Sequence, residues 1–234
     1  MNPFIAILIT FALALGWLRL MDFVAHRGWI DSRLSRKLIH IGSGPIFVLC
    51  WLLFPDLWYS RWLAALVPLV ITIQFALVGL GVIKDEASVK AMSRSGDRRE
   101  ILRGPLLYGI VFVVMTLLFW KTSPIGIIAL MLMCGGDGLA DILGRRVISA
   151  RLPWNNGKSV VGSLGMFIGG WVLAILVIAI YIPFGILPGI LGDYLLPITV
   201  ISLLGMVVES FPLKDIDNLT VTLAAVLLGK FFFG

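Results

Sequence analysis

Eight apolar runs, at about 3–21, 38–54, 62–83, 104–120, 123–135, 160–182, 194–208 and 219–233, occupy most of this chain. About 20 apolar residues in a helix cross the hydrocarbon core of a bilayer. Only helices and closed barrels satisfy every backbone polar group there. The expected fold is therefore an all-α polytopic bundle of about seven to eight spans, with the runs at 123–135, 194–208 and 219–233 the shortest. Composition agrees. Hydrophobic types make up 59% and charged types 14%, against about 45–50% and about 25% in soluble domains. A soluble enzyme, a disordered chain and a disulfide scaffold are excluded. The residues between the runs are too few for a separate soluble domain, so residues 1–234 are expected to form one membrane domain, working through helix ends and short loops. Cys50 and Cys134 lie inside apolar runs and read as buried small hydrophobes.

All 19 Lys and Arg except Arg61, Lys121 and Lys230 fall in the loops that follow the first, third, fifth and seventh runs. That asymmetry predicts those loops on the cytoplasmic or stromal side, with both termini opposite. The net charge of +6 is then a matter of orientation and of contact with anionic lipid, and no nucleic-acid partner is expected. Ala12-Leu13-Ala14 imitates a signal cleavage site. No basic residue precedes the run, however, and Arg19, Arg27 and Arg33 follow it, so residues 1–32 are expected to be an uncleaved anchor span and its loop.

Most carboxylates fall on the same face as the basic loops. In 134–146, CGGDGLADILGRR, an apolar helix runs into Gly135, Gly136 and Gly138, and Asp137 and Asp141 stand four residues apart on one helical face. Carboxylates at membrane depth are costly unless a metal, a partner or an aqueous cavity compensates. All-oxygen ligands point to Mg²⁺. The competing reading is a structural pairing with Arg145 and Arg146.

In 153–163, PWNNGKSVVGS, Gly157-Lys158-Ser159 imitates the end of a nucleotide-binding P-loop, but the required first glycine is Leu152, so it is not one. Asn155, Asn156 and Lys158 nonetheless stand before an apolar helix, where backbone N–H groups favour anions. A plain turn is the alternative. Glu209, Asp215, Asp217 and Asn218 cluster between two short runs, either capping the last helix or adding a carboxylate to the metal and phosphate site. Arg36, Lys37 and His40 share a helical face, and Gly42-Ser43-Gly44-Pro45 is expected to open or kink the second span. The loop 84–103 reads as an amphipathic connector, with Arg103 its inward member.

In this order the segments RKLIHIGSG (36–44), ILRGPLLYG (101–109), SPIGIIALMLMCGGDGLADILGRR (123–146), LPWNNGKSVVGSLGMF (152–167), ES (209–210) and DN (217–218) resemble the phytol kinase branch of the polyprenol kinase family, over about 33–230. The resemblance implies CTP-dependent phosphorylation of an isoprenoid alcohol, phytol first, toward tocopherol synthesis and salvage of chlorophyll-derived phytol. It implies a site at the cytoplasmic face that includes Gly136, Gly138, Gly162 and Ser163. Asp137, Asp141 and Asp217 are expected to hold Mg²⁺. Lys158 with Arg145 or Arg146 is expected to steady the transferred phosphoryl group, and Asp217 and Asn218 to touch the metal or nucleotide. Arg36, Lys37 and His40 are expected to contact phosphate or deprotonate the alcohol. A lipid-phosphate cytidylyltransferase and a transporter are the rivals. A cyanobacterial-type membrane or a plastid membrane is the expected location.

Overall fold

The computed structural model describes residues 1–93, 96–212 and 216–234. The expected all-α membrane bundle is what the chain forms. Its helices are α1 (Pro3–His26), α2 (Ser32–Cys50), α3 (Ser60–Leu80), α4 (Glu86–Met92), α5 (Gly104–Leu118), α6 (Pro124–Met131), α7 (Asp137–Arg146), α8 (Val160–Tyr181), α9 (Leu191–Glu209) and α10 (Asp217–Phe233). A short antiparallel hairpin joins α7 to α8, with β1 (Arg151–Leu152) paired to β2 (Asn155–Ser159).

Among the described residues seven helical segments are long and apolar enough to cross a membrane: Pro3–His26, Arg33–Leu53, Ser60–Leu80, Arg98–Leu118, Pro124–Arg146, Val160–Tyr181 and Leu191–Glu209. The eighth run forms α10, whose 17 residues stand at the lower end of the ~17–25 that span a bilayer. Trp58 and Trp62 at one end of the bundle, and Trp29 and Trp154 at the other, are exposed, as interfacial tryptophans are.

The fifth span is the axis of the bundle. In its most apolar window 78% of residues are buried, against 17% in α1. A helix surrounded on all sides must be apolar all round, and Ile127 through Cys134 are fully buried. This span does not end at its glycines, as the run at 123–135 suggests. It passes through a π-helical turn at Leu132–Gly136 straight into α7. Its glycines are contact points. A Cβ on Gly135 would lie 2.6 Å from the Gly169 carbonyl of α8, and one on Gly136 2.6 Å from Met166 Sδ. A Cβ on Gly138 would strike Ile41 of α2.

The second span likewise stays helical through Gly42-Ser43-Gly44-Pro45, with Pro45 inside α2. Here too the glycines admit neighbours, Trp17 of α1 against Gly42 and Cys134 against Gly44. Both cysteines are free and buried. At the other end of the bundle, buried Lys121 donates to the Phe54 carbonyl and pairs with Asp56 at 2.7 Å, joining two loops.

Candidate active site

The N-terminal ends of α2, α5, α8 and α10 and the C-terminal ends of α3, α7 and α9 lie at the face of the basic loops. A cavity of about 610 Å³ opens there, within the ~300–1,000 Å³ of small-molecule sites. Charged and polar side chains line its outer end, and apolar ones from α1, α2, α3 and α5 line its inner end.

The centre of the charged end is Asp137. Its Oδ2 lies 3.1 Å from Lys37 Nζ and 3.3 Å from His40 Nε2. Lys37 Nζ also stands 3.9 Å from Asp141 Oδ2, so one ammonium faces both carboxylates. Asp141 turns its other oxygen to Arg145, 2.7 Å away. The structural pairing considered for the two aspartates thus holds for Asp141 and Arg145, while Arg146 reaches Asp31 at 3.4 Å. His40 Nε2 also lies 3.2 Å from the Met133 carbonyl in the π-helical turn. Both neighbours of Nε2 accept hydrogen bonds, so in a neutral ring Nε2 is the nitrogen that carries the proton and Nδ1 the one with the lone pair. π-Helical turns occur often at functional sites. This one sits directly before Asp137 and supplies a carbonyl to its histidine.

A second pair closes the opposite wall. Lys158, on β2, donates to Glu209, the last residue of α9. Glu209 is 2% exposed. Burial works to depress the Lys158 ammonium's pKa, but the carboxylates around it, Glu209 first and then Asp137 and Asp217, together outweigh burial and hold it above the ordinary lysine value. Lys158 is therefore a fixed cation. The hairpin reaches this position because Trp154 Nε1 donates to Ser210 Oγ (3.2 Å) and Asn155 Nδ2 to the Ser210 carbonyl (3.0 Å). Ser159 then caps α8, its Oγ accepting from Gly162 N–H at 3.2 Å.

Arg36, Arg103, Gly157, Ser159, Gly162, Asp217 and Asn218 also line the cavity. Arg36 donates to the Ser93 carbonyl at 2.8 Å. Asp217 opens α10 and its Oδ1 accepts from the adjacent Asn218 N–H, but the N-cap position is Ile216, which makes no side-chain cap, so Asp217 is not the cap the sequence suggested. Gly136, Gly138, Arg146, Asn156 and Ser163 are outside the cavity wall, the two glycines because they face Met166 and Ile41. Asp215 lies outside the described residues.

Sequence reasoning did not single out Tyr108 or Ser43. The Tyr108 ring lies over His40, centroids 4.3 Å apart. Its hydroxyl donates to the His40 carbonyl at 2.9 Å and meets Ser43 Oγ at 2.9 Å and Cys134 Sγ at 3.1 Å. The available signal was a hydroxyl one helical turn inward from Arg103-Gly104.

The donor set suits a hydrated divalent ion. Among the described residues no three His, Cys, Asp or Glu side chains converge as a ready-made cage. Mg²⁺ characteristically takes one or two carboxylates and completes its shell with water and phosphate, and Asp137 with Asp141 offers that number. Glu209 Oε2 and Asn218 Oδ1 are buried, without hydrogen-bond partners, on residues of the cavity wall. Oxygens in that state suit a bound cation, a water or a donor group.

Fold and site define a polytopic helical membrane protein with a charged cavity at one face that continues between its helices. The chain is 41% identical over 231 residues to a probable chloroplastic phytol kinase of Triticum aestivum, covering 98% of this chain and 77% of that protein. It is 40% identical over 227 residues to the chloroplastic farnesol kinase of Arabidopsis thaliana, covering 96% and 74%. It is 39% identical over 215 residues to chloroplastic phytol kinase 1 of Arabidopsis thaliana, covering 91% and 71%. No family model matches the chain, and no solved structure does. The chain belongs to the phytol kinase family.

Proposed function

We propose that this protein is a membrane-embedded kinase that transfers the terminal phosphate of CTP to the hydroxyl of phytol or a related prenyl alcohol. One observation carries the reading: a single cavity joins a lysine- and aspartate-lined end to an apolar end between spans. That shape fits a substrate with one polar group on a long hydrocarbon. The names of its relatives, phytol kinase and farnesol kinase, support the alcohol class. The choice of CTP rests on the family resemblance, and the charge of the outer end suits a triphosphate.

Phosphoryl transfer asks for positioning and charge neutralisation more than covalent help. Asp137 and Asp141, with Asp217, would hold Mg²⁺, which when bound neutralises triphosphate oxygens. Lys158 is the fixed cation for charge on the transferred group, and Arg145, held by Asp141, also lines the cavity wall. Arg36, Lys37 and Arg103 receive phosphate oxygens at the rim. His40 takes the alcohol proton at Nδ1, with Asp137 and the Met133 carbonyl holding its ring by Nε2. The site then faces the cytoplasmic or stromal side, where nucleotide is available. The chloroplastic relatives support a plastid membrane, and none of the three named is bacterial. The product, phytyl phosphate, serves tocopherol synthesis and phytol salvage in this reading.

The test is a nucleotide-by-alcohol matrix with purified protein in detergent, with the lipid product separated and detected. Metal-dependent formation of a prenyl monophosphate with release of CDP is expected. Pyrophosphate release from labelled CTP would replace this reading with a cytidylyltransferase, and no nucleotide consumption with any alcohol would reject it.

A further inference from the structure

The inner end of the cavity is a defined shape. Leu18 of α1, Val67, Ile71 and Phe75 of α3, and Phe47 and Phe112 line it. It forms because α5 packs closely on α3, where a Cβ on Gly109 would collide with Thr72. Phe47 of α2 and Phe112 of α5 are buried and meet edge to face, centroids 5.6 Å apart. Trp51 stands behind Phe47, centroids 5.9 Å apart, and Tyr108 adjoins Phe112 at 4.9 Å. An aromatic row therefore runs from His40 through Tyr108 to Phe112, Phe47 and Trp51. The Phe47–Phe112 pair is the floor.

We propose that this inner arm binds the hydrocarbon tail of the acceptor alcohol and that the Phe47–Phe112 pair selects among tail lengths. The proposal rests on the prenyl-alcohol reading and adds where the tail lies and what limits it. Two arguments support a tail as the occupant. The arm is apolar and continuous with the site of Asp137 and His40, so a molecule with its hydroxyl at that site has its next atoms in the arm. The depth also fits. His40 and Phe47 are seven positions apart on one helix, a rise of about 10 Å. An extended covalent chain advances about 1.2 Å per bond, so one isoprene unit spans about 5 Å and the floor meets the tail after about two units. Alcohols of two units fit above the pair. Longer ones must turn past it, and removing a ring relieves a cost that only they bear.

The test measures kcat and KM of wild type, Phe112→Ala and Ala14→Trp for geraniol, farnesol, geranylgeraniol and phytol at saturating nucleotide, together with the KM for nucleotide. Phe112→Ala should raise the kcat/KM ratio of geranylgeraniol to geraniol about tenfold. Ala14 lines the arm from α1 and is only partly buried, so a tryptophan there fills the arm without disturbing the central span. Ala14→Trp should raise KM for every alcohol at least fivefold and leave the nucleotide KM unchanged. A Phe112→Ala protein with the wild-type ratio, or an Ala14→Trp protein with wild-type alcohol KM, overturns the assignment. If Phe112→Ala does not fold, Ala14→Trp alone decides. Wild-type protein that phosphorylates no alcohol overturns the kinase reading and this one with it, whereas wild-type turnover with indifferent variants overturns only the tail site.

Discussion

Lys37 on α2 and Asp137 on α7 are 100 residues apart in sequence and meet at 3.1 Å. Both side chains are less than one-fifth exposed. Removing one partner of such a pair leaves a poorly solvated charge, which costs about 3–5 kcal/mol. Lys37→Met should therefore destabilise the protein by roughly that amount, softened by His40, which still faces Asp137. Adding Asp137→Asn to Lys37→Met should restore much of the lost stability and none of the activity. Thermal unfolding in detergent measures the first effect and turnover the second. A double variant whose loss of stability equals the sum of the losses in the two single variants would show that the pair contributes no coupling.

Asp137→Asn alone tests the chemistry, and its folding cost is limited because Lys37 keeps a second carboxylate, Asp141, 3.9 Å away. The side chain keeps its size and the helix keeps its packing against Met166 and Ile41, but the negative charge between Lys37 and His40 is gone. The variant should insert in the membrane normally and turn over about a hundred- to a thousandfold more slowly, the loss typical of removing a group that acts on developing charge. Near-normal turnover would remove Asp137 from the proposed metal site.

The Lys158–Glu209 pair makes a prediction about pH. Lys158 is raised above its ordinary pKa in the folded protein. Its contribution to stability is therefore fully present below the unfolded lysine value of about 10.4 and is lost as pH rises through the higher folded value. The difference in melting temperature between wild type and Lys158→Met should not decline between about pH 7 and about pH 9 and should shrink only above about pH 10. A difference that already declines between pH 7 and pH 9 would mean that Lys158 is not the fixed cation described.

These pairs also mark the limit of what the sequence discloses. Long apolar runs identify spans whatever their rotational phase, and so the bundle is legible from composition alone. The end of the fifth span is not. Glycines read locally as a break, yet Gly135 and Gly136 remain helical because α8 presses directly on them, and that contact comes from a helix over thirty positions away. The hairpin at 151–159 is too short to show a pattern and is held by Ser210, across 55 or 56 positions. Asp137 and Asp141 show themselves by their cost in an apolar setting. Tyr108 costs nothing visible in the sequence, because its ring belongs in a membrane and its hydroxyl finds partners only after folding.

The close contact of the π-helical turn at Leu132–Gly136 with α8 gives a packing prediction. A Cβ added at Gly169 would be driven into the backbone carbonyl of Gly135, and a backbone atom cannot rotate away. Gly169→Ala should destabilise by about 1–3 kcal/mol. It should also lower turnover, because Gly135 lies two residues before Asp137. Gly16 of α1 has open space around it, and Gly16→Ala is the control expected to leave turnover unchanged and stability unchanged or slightly raised. Equal melting temperatures for Gly169→Ala and Gly16→Ala would contradict the packing described.

Tyr108 holds His40 in two ways that substitution can separate. Its ring covers the imidazole, and its hydroxyl fixes the His40 backbone through the carbonyl while touching Ser43 and Cys134. Tyr108→Phe keeps the ring and removes the hydroxyl, which should cost about 1 kcal/mol of stability and lower kcat several-fold. The KM for alcohol should change little, because the aromatic row beside the tail arm is intact. Tyr108→Ala removes both contacts and opens that row, so it should lower kcat further and raise the alcohol KM as well. Tyr108 acts through His40, which it positions, so the loss in Tyr108→Phe should vanish in a His40→Ala background, where no imidazole remains to be held. If Tyr108→Phe lowers kcat by the same factor with and without His40, the hydroxyl acts by some route other than the histidine.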